Sequence, residues 1–188
     1  SCPFEEVEKE IPASGNILDV GCGHGLFVFL CALKSEGRSV TGIDVDKSKI
    51  EAARSVAGSA GRVSERVHFI VGGTIPNSTW DGISFIDVLY LLPDDTKESM
   101  VRAAASALTK NGVLVIKEIA KRPRLKYLWA FLQEIVSVKL LRLTAGRTVS
   151  FAEPEEIARW MKEEGLDVKT RRVDGGYLHP HHLIAGVR

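Results

Sequence analysis

Two carboxylates and three closely spaced glycines are the residues of this chain whose types and spacing could do chemistry. Asp19 stands two residues before the first glycine of Gly21-Cys22-Gly23-His24-Gly25, and a second acid, Asp44, follows 19 residues after Gly25. Glycines let a backbone turn tightly and approach a ligand, and a helix opening just after them offers its first amides to that ligand. A carboxylate at the end of the next strand can accept two ribose hydroxyls. Together these features describe a nucleotide-cofactor site. A dinucleotide site wants G-x-G-x-x-G, whereas this chain has G-x-G-x-G with an acid beside it. Fewer amides aimed at pyrophosphate, and a carboxylate close by, suit a ligand with a cationic amino acid part. Asp44 or Asp46 could instead cap the helix that begins near Lys47; the ribose role falls to Asp44 and the cap to Asp46.

The elements needed to position these groups are legible around them. Ile17, Leu18 and Val20 read as a buried strand, Leu26 to Lys34 as the helix after the glycines, and Val40 to Ile43 as a second strand ending at Asp44. The run Leu18-Asp19-Val20-Gly21-Cys22-Gly23-His24-Gly25 resembles the first motif of the class I S-adenosylmethionine-dependent methyltransferases. That resemblance implies S-adenosyl-L-methionine as cofactor, with Gly21, Cys22, Gly23, His24 and Gly25 around its methionine end. It also implies that Asp19 orders the loop or approaches the ammonium through water, and that Asp44 holds the ribose with Val45 beside it. Asp87 and Val88 fall in the family's next cofactor-lining segment. The third strand departs from the family pattern: where many members carry an acid for the adenine amino group, this chain reads Val71-Gly72-Gly73-Thr74. Adenine would then rest on the Thr74 or Ile75 backbone and on apolar packing at Gly73.

Lys47 to about Ala60 reads as a helix ended by Gly58-Ser59-Ala60-Gly61, and Arg66 to Val71 as a third strand. Asp81 to Ile86 gives a fourth strand, followed by a turn at Leu92-Pro93-Asp94-Asp95 and a helix to about Leu108. Asn111-Gly112 introduces a fifth, Val113 to Ile116. Five strands alternating with helices require a parallel sheet with right-handed crossovers. A long apolar helix follows from Leu125 to Leu143, then a helix from Pro154 to Glu164. Strands at Leu166 to Val173 and His182 to Val187, joined by Asp174-Gly175-Gly176-Tyr177, form an antiparallel hairpin. The expected fold is a doubly wound, mostly parallel seven-stranded α/β sheet of Rossmann-like build, ending in that hairpin. Residues 1–188 form a single domain, with 121–150 a lid or insertion between strands five and six.

The chain has 188 residues, 45% of them hydrophobic, which suffices for one sizeable core and is short for two. A formal charge of +1 gives no global attraction to nucleic acid or membrane. Cysteines at 2, 22 and 31 have no metal-ligand spacing and leave an odd count for disulfides, which points to reduced thiols and the cytoplasm. Phe4 to Glu10 is too acidic for a secretory leader, and segments that help close over substrate in this family could precede the first strand.

Methyl transfer from a sulfonium needs chiefly that nucleophile and methyl be brought together and water excluded. Candidates for a base are Tyr90, Glu118 and the cluster His179-Pro180-His181-His182, since a neutral histidine can take a proton from an oxygen acid. Against this, His181 and His182 begin a strand, where one side chain faces the core and its neighbour faces out. Metal binding is not expected, because adjacent strand residues face opposite sides and no carboxylate sits near. The segment Asp87-Val88-Leu89-Tyr90-Leu91-Leu92-Pro93 lacks the Asn/Asp-Pro-Pro-aromatic tetrad of many nucleobase and glutamine N-methyltransferases, which argues against nucleic acid.

Lys117 to Arg147 carries eight basic residues against two acids, Glu118 and Glu134, within a largely apolar stretch. Glu134 and Lys139 in its middle argue against a membrane span. It reads as a lid over a hydrophobic acceptor with a basic rim, or as a peripheral membrane or protein contact through 121–147, or simply as a helix packed on the sheet. The expected function is methyl transfer from S-adenosylmethionine to a small, rather apolar acceptor, with oxygen as the acceptor atom. The alternatives are an RNA methyltransferase using 117–147 and a non-catalytic cofactor-binding subunit.

Overall fold

The computed structural model describes residues 2–119, 150–173 and 181–188. The expectations for 121–147, the Leu125 to Leu143 helix, the 174–177 turn and His179 lie outside the described residues.

Strands β1 (Gly15–Val20), β2 (Arg38–Asp44), β3 (Val67–Val71), β4 (Trp80–Ile86) and β5 (Leu108–Ile119) alternate with helices α2 (Leu26–Lys34), α3 (Lys47–Gly58) and α4 (Asp94–Ser106). A short helix, α1 (Phe4–Glu8), precedes them, and α5 (Pro154–Glu163), β6 (Asp167–Arg172) and β7 (His181–Val187) follow. The seven strands lie in the order β3-β2-β1-β4-β5-β7-β6. The first five are parallel, and β7 runs antiparallel to both β5 and β6. The expected α/β fold is therefore present, with β7 inserted between β5 and β6. Chain direction across the sheet reverses between β1 and β4, and crevices at such a switch point, outside the carboxyl ends of the strands, are where ligands bind in open α/β sheets.

Alternating strand residues feed two cores. Leu18, Leu114 and Ile116 pack with Val101, Ile157 and Met161 of α4 and α5 on one face. Ile17, Val40 and Val115 pack with Val7, Val28 and Ile50 of α1, α2 and α3 on the other. The period of two along each strand is what buries both faces of the sheet. On β6, by contrast, Lys169, Thr170, Arg171 and Arg172 are all exposed.

Three boundaries differ from the sequence reading. Helix α4 stops at Ser106, and β5 begins at Leu108, because Asn111-Gly112 sits inside a longer strand instead of opening one. Asn111 takes a positive φ of 66°, and the β4–β5 register shifts between Trp80 and Gly82. Helix α3 ends at Gly58, and Gly61–Arg66, to which the sequence reading assigned no element beyond opening the third strand at Arg66, is a 3-10 turn. The Arg66 guanidinium holds that turn in place by donating to the carbonyls of Ala32 and Ser35, each at 2.9 Å. Third, Asp94 and Asp95 form the first turn of α4, where carboxylates favour the helix dipole. Among the described residues no helix is long and apolar enough to cross a membrane.

Candidate functional site

The carboxyl ends of β1, β2 and β4 converge on two adjoining cavities. The larger, of 320 Å³, is lined by Gly23, Asp44, Val45, Gly73, Val88 and Tyr90 among others. The smaller, of 150 Å³, is lined by Cys2, Phe4, Asp19, Cys22, His24 and Leu26 among others. Gly21 and Asp87 border both.

Gly21, Gly23 and Gly25 all have positive φ, between 54° and 80°. At Gly21 a Cβ would meet the Val88 side chain at 2.4 Å, and at Gly25 the Phe69 ring at 2.5 Å, whereas nothing lies near a Cβ at Gly23. The first and third glycines are thus required by packing as well as by conformation. Most loop amides are already taken by protein: Gly21 and Cys22 donate to the Ile43 carbonyl, and Gly25 to the Cys22 carbonyl. The Gly23 amide donates to Asp44 Oδ2 at 2.9 Å. What remains for a ligand is the His24 amide and the first turn of α2, whose N-cap, Gly25, contributes no side-chain bond. Such a turn favours a carboxylate.

Asp44 also accepts from the Asp46 amide, at 2.8 Å, so its carboxylate ties the glycine loop to the end of β2. Asp46 caps α3, accepting from the Ser48 and Lys49 amides. Asp19 lies on the floor of the smaller cavity, 3% exposed, and takes a hydrogen bond from Ser84 Oγ at 2.7 Å. Burial pushes its carboxyl up to about 7; the Ser84 bond opposes the rise and the nearby Asp44 charge adds to it. Burial likewise raises the Cys22 thiol well above its usual range, and the Cys2 thiol to about 12. Neither thiol has the lowered pKa of a reactive cysteine.

Asp87 is a non-glycine residue at φ 56°, a conformation that costs on the order of 1–2 kcal/mol and is found where surroundings enforce it. Its carboxylate pairs with Lys117, which is wholly buried. Its Oδ1 is buried without a hydrogen-bond partner. Lys117 therefore belongs to the site and is not part of an exposed basic patch, which corrects the charge reading of the 117–147 segment. Glu118, 3% exposed, sits beneath the loop after β4 and lines neither cavity; its Oε1 accepts from the Val88 and Leu89 amides. Burial pushes its carboxyl up to about 8, reinforced by the Asp87 charge and opposed by the Leu89 amide and Lys117.

Tyr90 lines the larger cavity and stacks on Phe151, with ring centroids 5.2 Å apart. His181 is buried, at 2% exposure, opposite Ile119 on β5. Thr74 is exposed and does not border the larger cavity, where Gly72 and Gly73 do. Lys49, Leu91, Leu92 and Met100 also border it and were not singled out from the sequence: the apolar three carry no chemical signature, and Lys49 reads as one more surface lysine on α3. Cys2 and Phe4 reach the smaller cavity because α1 is pinned to the core. There Arg38, 4% exposed, donates to Glu8 at 2.6 Å and to the Ile11 and Pro12 carbonyls. Among the described residues no group of acids, cysteines and histidines is placed to hold a metal ion.

The paired cavities fit a ligand with a nucleoside at one end and a zwitterionic amino acid at the other. Asp44 faces the first, with Val45 and Gly73 as apolar walls. The α2 N-terminus and the acids Asp19 and Asp87 offer complements to a carboxylate and an ammonium. The orphaned Asp87 Oδ1 at the junction is the buried atom that such a cation would satisfy.

Comparison with known proteins agrees. A family model described as a methyltransferase domain matches residues 4–170. The ubiquinone biosynthesis O-methyltransferase of Xylella fastidiosa is 30% identical over 173 residues, covering 88% of this chain and 67% of that protein. Its counterpart in Xanthomonas axonopodis is 28% identical over 160 residues, covering 84% and 65%. The chain thus spans about two-thirds of the length of these curated relatives. The magnesium protoporphyrin IX methyltransferase of Synechocystis, solved with bound S-adenosylhomocysteine, superposes with a TM-score of 0.74 at 18% identity, covering 98% of this chain and 81% of that one. A [4+2]-cyclase, SpnF, superposes equally well, at 0.75 and 15% identity, covering 98% and 79%, so the fold by itself does not name a reaction. The family match along most of the chain, together with the glycine loop and the carboxylates at its cavities, makes this protein a member of the class I S-adenosylmethionine-dependent methyltransferases.

Proposed function

We propose that this chain transfers a methyl group from S-adenosylmethionine to an oxygen of a small, rather apolar acceptor. The observation that carries the reading is the pair of cavities meeting at Gly21 and Asp87, one suited to a nucleoside and the other to an amino acid. S-adenosylmethionine, when bound, supplies an electrophilic methyl on a sulfonium. The chain's own contribution is to hold and orient. Asp44 accepts the ribose hydroxyls, Gly73 and Val45 flank the base, and Asp19 and Asp87 balance positive charge. Tyr90, at the edge of the larger cavity, is placed to contact the acceptor or its proton. The O-methyltransferase relatives support oxygen as the acceptor atom.

The test is calorimetric titration with S-adenosylmethionine, S-adenosylhomocysteine and NAD, followed by methyl-transfer screening of phenols and other hydroxylated apolar compounds. Saturable binding of the first two without NAD, and product from at least one hydroxylated acceptor, is expected. Binding of NAD instead, or methylation confined to RNA, would overturn the reading.

A further inference from the structure

The loop after β4 borders both cavities, and two consecutive residues of β5 grip its first three amides. The Lys117 carbonyl accepts from the Asp87 amide at 3.0 Å, and the Lys117 ammonium pairs with the Asp87 carboxylate. Glu118 Oε1 then accepts from the Val88 amide at 3.0 Å and the Leu89 amide at 2.8 Å. Those two amides open the 3-10 turn Leu89–Leu91, where first-turn N–H groups lack partners within the turn. Glu118 thus caps that turn from a neighbouring strand.

The grip matters because of what the loop touches. Val88 occupies the space beside Gly21, so closely that any Cβ there would overlap it. The glycine loop from β1 and the loop from β4 are therefore interlocked at Gly21 and Val88. Asp87, held at positive φ between the cavities, is the first residue of the gripped stretch. A shift of Val88 or Leu89 would move both walls of the site together.

We propose that Lys117 and Glu118 are the positioning pair of the cofactor site: they hold Asp87-Val88-Leu89 in the conformation that completes both cavities, and Glu118 acts through backbone amides without touching a ligand. This rests on the reading of the paired cavities as an S-adenosylmethionine site. It also gives the buried Glu118 a role other than that of base. The Asp87 and Lys117 charges act on it, and His182 lies opposite it on β7.

The experiment compares binding of S-adenosylhomocysteine with that of 5′-deoxy-5′-methylthioadenosine, which has the nucleoside but no amino acid. Glu118→Ala removes the acceptor and should weaken both ligands at least tenfold at a temperature where circular dichroism shows the variant folded. Glu118→Gln keeps an oxygen that can accept both amides and should stay within about threefold of the parent. Lys117→Met releases Asp87 at the amino acid end and should weaken S-adenosylhomocysteine more than the methylthio nucleoside. Parental affinity in Glu118→Ala, or a glutamine variant as weak as the alanine one, would overturn the proposal. Should Glu118→Ala not fold, hydrogen exchange of the parent protein decides: slow exchange at the Val88 and Leu89 amides that persists in Glu118→Gln supports the grip, and fast exchange at both sinks it. If the parent protein binds neither ligand, it is the cofactor reading that fails, and the exchange data still judge the grip on their own.

Discussion

Asp19 and Ser84 lie directly opposite each other on the neighbouring parallel strands β1 and β4, joined by a 2.7 Å hydrogen bond and almost wholly buried, with Asp19 facing the smaller cavity. A carboxyl raised from 3.8 to about 7 by burial binds its proton more tightly folded than unfolded. Its contribution to stability is then full below about pH 4, is lost as pH rises towards 7, and is flat above that. Asn at position 19 keeps an acceptor for Ser84 without the charge. Asp19→Asn should therefore be more stable than the parent at pH 8, by on the order of 4 kcal/mol at most, and unfold at a higher temperature, with the gap narrower at pH 5. Thermal melts at the two pH values check this, and a gap that widens on acidification would refute it.

Cofactor binding should expel a proton near pH 7. An ammonium arriving at the smaller cavity favours the ionised form of Asp19, which is partly protonated there before binding. Calorimetry of S-adenosylhomocysteine in buffers of different ionisation enthalpy should show release of a fraction of a proton. Asp19→Asn should abolish that release.

Asp44 serves the protein as well as the ligand, since its two oxygens accept the Gly23 and Asp46 amides. Each hydrogen bond to a charged group is worth about 1.5–3 kcal/mol. Asp44→Ala is expected to weaken S-adenosylhomocysteine by roughly ten- to hundredfold and, since both amides lose their acceptor, to lower the melting temperature clearly. Asp44→Asn, keeping one acceptor oxygen, should fall between. Equal affinity for all three proteins would remove Asp44 from the site.

The glycines should separate by packing. Gly23→Ala meets open space and bears only the backbone cost of φ 54°, about 1 kcal/mol. Gly25→Ala bears a similar cost and also drives a methyl into the Phe69 ring, which adds about 1–3 kcal/mol. Urea titration of both variants should rank Gly25→Ala clearly below Gly23→Ala.

Lys97, 2% exposed, holds the Ser150 carbonyl at 2.7 Å while the Ser150 amide donates to the Tyr90 carbonyl. It thereby keeps Phe151 stacked on Tyr90. Lys97→Met leaves that carbonyl without its ammonium and should cost about 1–3 kcal/mol. Tyr90→Phe preserves the stack; if the hydroxyl serves proton transfer, this variant loses turnover while keeping cofactor affinity, and unchanged turnover would exclude that role.

The parts of the site legible in the sequence were those where spacing alone constrains geometry. Asp19, the glycine run and Asp44 follow strand, turn and strand so tightly that the sheet must bring them together. Lys117 shows the limit. Counted along the chain it opens a basic stretch, but strand β5 turns it inward to Asp87, 30 residues earlier, and no local pattern records that partner. Ser84 and the partners of Glu118 were obscured for the same reason, because a polar residue in an apolar strand reveals burial without naming what satisfies it. Thr74 stands differently: Gly73 borders the larger cavity, whereas Thr74, the next residue, is exposed and does not. The fifth strand begins before Asn111-Gly112, which the sequence places at its start, because Asn at positive φ can sit inside a strand.

The two outer strands of the sheet differ in how they meet other molecules. On β6 the exposed Lys169, Arg171 and Arg172 put charged side chains along one border, Arg171 bridging to Glu6 and Glu10, and such a charged edge discourages pairing with a second copy of the strand. The opposite border, β3, leaves Ile70 and Val71 each 42% exposed. In concentrated solution, then, unwanted strand-to-strand aggregation should start at the β3 side, and a lysine at position 70 would be the first change to make for solubility.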